Sequence, residues 1–172
     1  MFTVTRMVHA TPEQVWAVLA DGWSYPSWVV GASRMRAVEP AWPAAGAKLH
    51  HSVGVWPLVL NDETEVLESD PPHRLRLQAR GWPMGEATIE VRIEPAGNGS
   101  KLTFAEDATR GPGRFVPKAL RQAPIALRNT ETLRRLAYLA EARATPQSGD
   151  GPDAGSPESL RESKIHPDGA DL

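Results

Sequence analysis

The chain has 172 residues, 41% of them hydrophobic, which is enough to bury a real core and close to the usual size of one domain. It contains no cysteine, which excludes a disulfide framework, a thiolate zinc site, an iron–sulfur cluster and a cysteine nucleophile. Net charge is -2, and the residues before Thr145 hold 15 acids against 17 bases, a near-neutral balance that argues against an electrostatic nucleic-acid binder.

The opening segment, MFTVTRMVHA, lacks a basic start followed by a long apolar run, and no stretch reaches the roughly 18 apolar residues that span a bilayer. The chain therefore reads as neither secreted nor membrane-spanning, and its freedom from cysteine suits the cytoplasm. FTVTRMV alternates and is rich in β-branched residues, so it predicts a strand. A helix follows at once: Thr11 is placed to cap it, Pro12 suits its first position, Gln14 completes a capping box, and Val15, Trp16, Val18 and Leu19 form an apolar face. Asp21 and Gly22 end that helix, and WSYPSW predicts a short second helical turn interrupted at Pro26 and closed by Gly31.

From Ala32 to Arg110 the hydrophobic period drops to two, which predicts an antiparallel meander of six strands. These are ASRMRAVE, AKLHHSVG, PLVLNDETEVLE, HRLRLQARGW, GEATIEVRIEP and KLTFAEDAT, and Gly97-Asn98-Gly99 is a good hairpin turn because Asn and Gly tolerate positive φ. After Gly111-Pro112-Gly113 a helical period runs to about Arg143, with Leu133, Leu136, Ala137 and Ala140 on one stripe. Pro124 inside it predicts either a kink or a short helix followed by a longer one. Residues 1–144 form the expected domain. Residues 145–172, with six acids against two bases, many Pro, Gly and Ser, and few large aliphatics such as Leu160 and Ile165, are expected to be a disordered acidic tail.

This order predicts an α+β domain in which a curved seven-stranded antiparallel sheet wraps a long C-terminal helix, with two short helices closing one end. A single helix about 10 Å wide cannot fill the hollow of so broad a sheet, which leaves room for a ligand. The segments ATPEQVWAVLAD, YPSWVVGASRMRAVEPAWPAAGAKLHHSVGVWPL, EVLESDPPHRLRL and RNTETLRRLAYLAE resemble those of the START-like superfamily of helix-grip proteins, within it the polyketide cyclase/dehydrase-like SRPBCC proteins. The resemblance covers about residues 2–143 and implies a helix-grip fold. It implies either a carrier for a small hydrophobic molecule or a polyketide cyclase/aromatase-like enzyme, and no catalytic position can be carried over from it.

Strand phase places Glu106 on the face of Leu102 and Phe104, and His51 on the face of Leu49 and Val53, so both polar groups are expected to point inward. There they could serve as an acid/base pair, or Glu106 could sit beside Arg110 or the cavity mouth while His51 donates to a backbone carbonyl. Of the six tryptophans, Trp23, Trp28, Trp56 and Trp82 lie at element ends, where a cavity entrance would form. The expected cavity residues are Trp28, His51, Trp56, Trp82, Phe104 and Glu106. Arg36, Arg76 and Arg92 are expected on the solvated face, as is the stripe of Arg114, Lys118, Arg121, Arg128 and Arg135 along the last helix. The histidines have no ligand spacing, so neither a metal nor another cofactor is expected. The expected partner is a small hydrophobic molecule bound by a monomer or homodimer.

Overall fold

A computed structural model describes residues 2–81, 85–110 and 118–145, and their side chains except those of Val55, Gly81, 108–110 and 118–124. Trp82, Arg114 and the expected tail beyond Thr145 lie outside the described residues, as do the side chains of Lys118 and Arg121.

The elements follow in chain order as β1 (Phe2–Val8), α1 (Pro12–Ala20), a 3-10 turn (Gly22–Ser24), α2 (Tyr25–Trp28), β2 (Ala32–Val38), β3 (Lys48–Val55), β4 (Leu58–Asp70), β5 (Arg74–Gly81), β6 (Gly85–Ala96), β7 (Gly99–Arg110) and α3 (Lys118–Ala144). All seven strands join one antiparallel sheet in the order β1-β7-β6-β5-β4-β3-β2. The sheet curves around α3 in the helix-grip arrangement, with α1 and α2 between them at one end. Among the described residues no helix is long and apolar enough to cross a membrane.

Local chemistry explains where α1 begins. Thr11 is the N-cap, its hydroxyl accepts from the Gln14 amide, and the Gln14 side chain accepts in return from the Thr11 amide. Val15, Val18 and Leu19 are buried, while Trp16 is only half-buried. One expectation fails at the next element: Pro26 lies in the first turn of α2 and does not interrupt it, because the first helical turn has no use for the amide hydrogen that proline lacks. Pro124 likewise does not divide the last helix, which runs as one element from Lys118 to Ala144.

Leu133, Leu136, Ala137 and Ala140 are all buried, and they fix the inner face of α3. Its closest approaches among the described residues are to β1, β7, α1 and α2, so the helix lies against one side of the sheet and leaves the middle strands without close helical backbone. Leu49, Leu75, Leu77, Val91, Ile93 and Leu102 line that concave side as a buried apolar surface. Gly99 opens β7 where β1 ends, and a Cβ there would stand 2.1 Å from the Val8 carbonyl oxygen. Only a glycine lets the two backbones come that close.

The convex face carries charge. Glu90 is buried beneath Arg74, Arg76 and Arg92, which bear on it as ion pairs, and Arg74 and Arg76 also reach Glu68. Burial alone would raise the Glu90 carboxyl, but hydrogen bonds from Arg74 and Arg92 outweigh it and hold the group below its ordinary range. Arg76 and Arg92 thus stand on the outer side, and exposed Arg36 donates to the backbone oxygens of His51 and Asp62.

Candidate functional site

Period-two geometry in β3, β4 and β7 turns three polar side chains toward the interior. His51 faces inward beside Leu49, opposite Asp62, and its ring is 2% exposed. Thr64 on β4 is fully buried, and Glu106 on β7 follows Leu102 and Phe104 on the inner face with 10% of its side chain exposed.

From α2, Tyr25 reaches across to this face. Its hydroxyl lies 3.2 Å from Thr64 Oγ1, and the same oxygen lies 2.9 Å from His51 Nε2. The rings of Tyr25 and His51 are 5.1 Å apart, and Trp28 meets Tyr25 edge-on at 5.2 Å. Burial pushes the Tyr25 phenol up to about 12, only partly opposed by the Thr64 hydrogen bond, so the phenol keeps its proton. Burial also pushes the His51 imidazole down to about 4; the Ser52 backbone opposes that fall, while Arg36 and His50 add to it. The imidazole is therefore neutral near pH 7. Thr64 Oγ1 thus links the phenol to His51 Nε2: where Nε2 accepts from Thr64 the imidazole hydrogen sits on Nδ1, and where Nε2 donates Nδ1 is an acceptor.

A second polar group comes from α3. Arg128 forms an ion pair with Glu106, and its guanidinium also donates to Asn129 Oδ1 at 3.3 Å. The cation near Glu106 is thus Arg128 of the helix, and the Arg110 side chain lies outside the description. Of the basic stripe, Arg135 is exposed and bound to Glu131, and Arg128, exposed as well, reaches β7 through its ion pair with Glu106. Arg128 and Glu106 act electrostatically on Tyr25 in opposite directions, the guanidinium lowering the phenol and the carboxylate raising it.

Three nitrogen atoms in this region, Trp28 Nε1, His51 Nδ1 and Asn129 Nδ2, are buried without a hydrogen-bonded partner among the described residues. Such atoms are uncommon in folded proteins, because each carries the full cost of desolvation.

Of the residues expected at a cavity, Trp28, His51, Phe104 and Glu106 are buried or nearly so on the inner side. Trp56 is not with them. It stands 87% exposed at the turn between β3 and β4, since a turn residue has no facing strand to cover it. Trp82 lies outside the described residues, and Trp23 is exposed. Tyr25, Thr64 and Asn129 were not singled out from sequence, although strand alternation from Val66 back to Thr64 would have put that threonine inside. No group of three or more His, Asp or Glu side chains among the described residues is placed to hold a metal ion.

A separate groove of about 180 Å³ runs between β1 and α3, lined by Val4, Thr5, Arg6, Thr130 and Leu133. It falls below the usual size of small-molecule sites.

Residues 1–141 match the family described as polyketide cyclase/dehydrase and lipid transport. The chain belongs to that family. This bears out the SRPBCC resemblance, and solved structures agree with it. A Rhodobacter sphaeroides protein is similar at 26% identity and a TM-score of 0.63, covering 81% of this chain and 91% of its own. StfQ, a di-domain ARO/CYC from the steffimycin biosynthetic pathway, is similar at 14% identity and a TM-score of 0.64, covering 83% of this chain and 51% of its own. DynU16, encoded in the dynemicin biosynthetic locus, is similar at 22% identity and a TM-score of 0.59, covering 81% of this chain and 46% of its own. This member of the polyketide cyclase/dehydrase and lipid transport family thus spans about half of each of the latter two proteins. A search of curated proteins finds no match to its sequence.

Proposed function

We propose that the chain binds a small hydrophobic molecule bearing carbonyl or hydroxyl oxygens, held between the concave sheet face and α3. The observation that carries this reading is the set of unpartnered nitrogens buried on the inner side: Trp28 Nε1, His51 Nδ1 and Asn129 Nδ2. Trp28 Nε1 and Asn129 Nδ2 are hydrogen-bond donors, and His51 Nδ1 is one in the tautomer whose Nε2 accepts from Thr64, so the complementary ligand supplies acceptors. That favours an oxygenated polyketide- or fatty-acyl-like compound over a pure hydrocarbon such as an unfunctionalised isoprenoid. Membership of a family described by both polyketide cyclisation and lipid transport supports the same ligand class.

Thermal shift tests the reading. A ligand at a hundredfold excess over its dissociation constant stabilises the fold by about 2.7 kcal/mol. Carbonyl-bearing apolar compounds should raise Tm by several degrees, hydrocarbons of equal size should do so less, and Trp28→Phe should reduce the preference. If no apolar compound raises Tm, the reading is wrong.

A second reading, cyclisation and dehydration of a poly-β-ketone, is favoured by a neutral imidazole hydrogen-bonded through Thr64 to a protonated phenol, a pairing suited to moving protons on a bound carbonyl. Glu106 is less suited to the partner role because Arg128 already engages it. Turnover that is lost in His51→Gln while the thermal shift survives would favour the enzyme. Its absence from the wild type would leave the carrier.

A further inference from the structure

The hairpin joining β3 and β4 departs from the pattern of the rest of the sheet. Ser52–Asn61, SVGVWPLVLN, contains no charged residue. Among the described residues, its strand pairing with β2 ends at Ala32 opposite Val53, and that with β5 begins at Thr64 opposite Ala79. Val53, Gly54 and Val55 pair with Leu60, Val59 and Leu58, and on the β2 side the Gly54 amide donates to the Gly31 carbonyl at 3.1 Å, so Val55 and the turn are what reach past that neighbour. Gly54 fixes the shape of the hairpin, with φ at +100° and a position where a Cβ would meet the Leu58 carbonyl oxygen at 2.2 Å.

Lower in β4 the two faces differ: Thr64 points inward, and Glu63 points outward to Lys48 and Arg80. At the tip that difference disappears. Leu58, in phase with Thr64, is 78% exposed, Val59 on the opposite face is 43% exposed, and Trp56 at the turn is 87% exposed. A protein partner seated on one face accounts for one apolar row only. A medium that surrounds the hairpin accounts for both rows and for the tryptophan at its end, a residue favoured where apolar and aqueous phases meet. Arg34, exposed opposite Ser52 at the base of the hairpin, has no ion-pair partner among the described residues and is a cation suited to anionic headgroups.

We infer that the β3–β4 hairpin docks the protein on a lipid surface by inserting Trp56, Leu58, Val59 and Leu60 at the headgroup boundary. The inference is independent of what the interior holds.

The test uses the full chain and vesicles of mixed phosphatidylcholine and phosphatidylglycerol, without added ligand. Wild-type protein should co-sediment with the vesicles, and Trp56→Ser combined with Leu58→Ser should weaken partitioning by at least about tenfold. Because the chain has no cysteine, Leu58→Cys creates a single site for an environment-sensitive fluorophore. Its emission should shift to the blue on vesicles, whereas the same label at Tyr138→Cys, an exposed position on α3, should not shift. Wild type left in the supernatant, an unshifted Leu58 label, or a dimer in analytical ultracentrifugation that the double substitution dissolves would overturn the inference, the last by making the hairpin a self-association surface.

Discussion

Phe104→Ala should destabilise the fold by about 3 to 5 kcal/mol, read as a lower urea midpoint at unchanged slope. The ring is 3% exposed and sits on β7 between Val4 of β1 and Val91 of β6, where the strands nearest α3 meet the helix. Truncation removes apolar area from a place where two strand neighbours and a helix are already fixed, so the surroundings cannot close over the gap. The control is Leu127→Ala: that side chain is 75% exposed on α3, and its loss should change stability by less than about 0.5 kcal/mol. Comparable losses from both substitutions would mean that β7 does not present Phe104 to the core.

The second large effect is a dependence on pH that His51 imposes. In the unfolded chain an imidazole takes up its proton near pH 6.5, whereas the folded one, desolvated beneath Tyr25, waits until about pH 4. Between those values the unfolded state binds more protons, so stability falls as pH falls through the window. Integrated over it, the wild type should lose about 3 kcal/mol from this group. His51→Gln removes the titration, and the carboxylates that both proteins share cancel in the comparison. The difference in urea stability between pH 7 and pH 4 should therefore be about 3 kcal/mol smaller in the variant. Equal slopes would place the wild-type imidazole in water.

How much of this the sequence reveals depends on the range over which each interaction acts. The cap of α1 involves only Thr11, Pro12 and Gln14, so it is legible directly. Strand phase is equally local, and it puts His51 and Glu106 on the inner face because each shares parity with leucines two or four residues away. What the sequence does not display is which distant residue completes the contact. Tyr25 and Thr64 lie 39 positions apart and meet only because the order of strands sets α2 against β4. Arg128 lies 22 positions from Glu106, across a segment whose length says nothing of direction. Trp56 shows the converse limit. Its position at a turn is readable, but that position alone does not say whether the ring borders a cavity or faces solvent, and here it is exposed.

Crystals grown with the carbonyl-bearing compound that most raises Tm give the most direct test of where a ligand sits. Density between α3 and the middle strands, with an oxygen within hydrogen-bond distance of His51 Nδ1 or Trp28 Nε1, is the expected result. Density confined to the groove between β1 and α3, or an interior filled by side chains alone, would contradict the account.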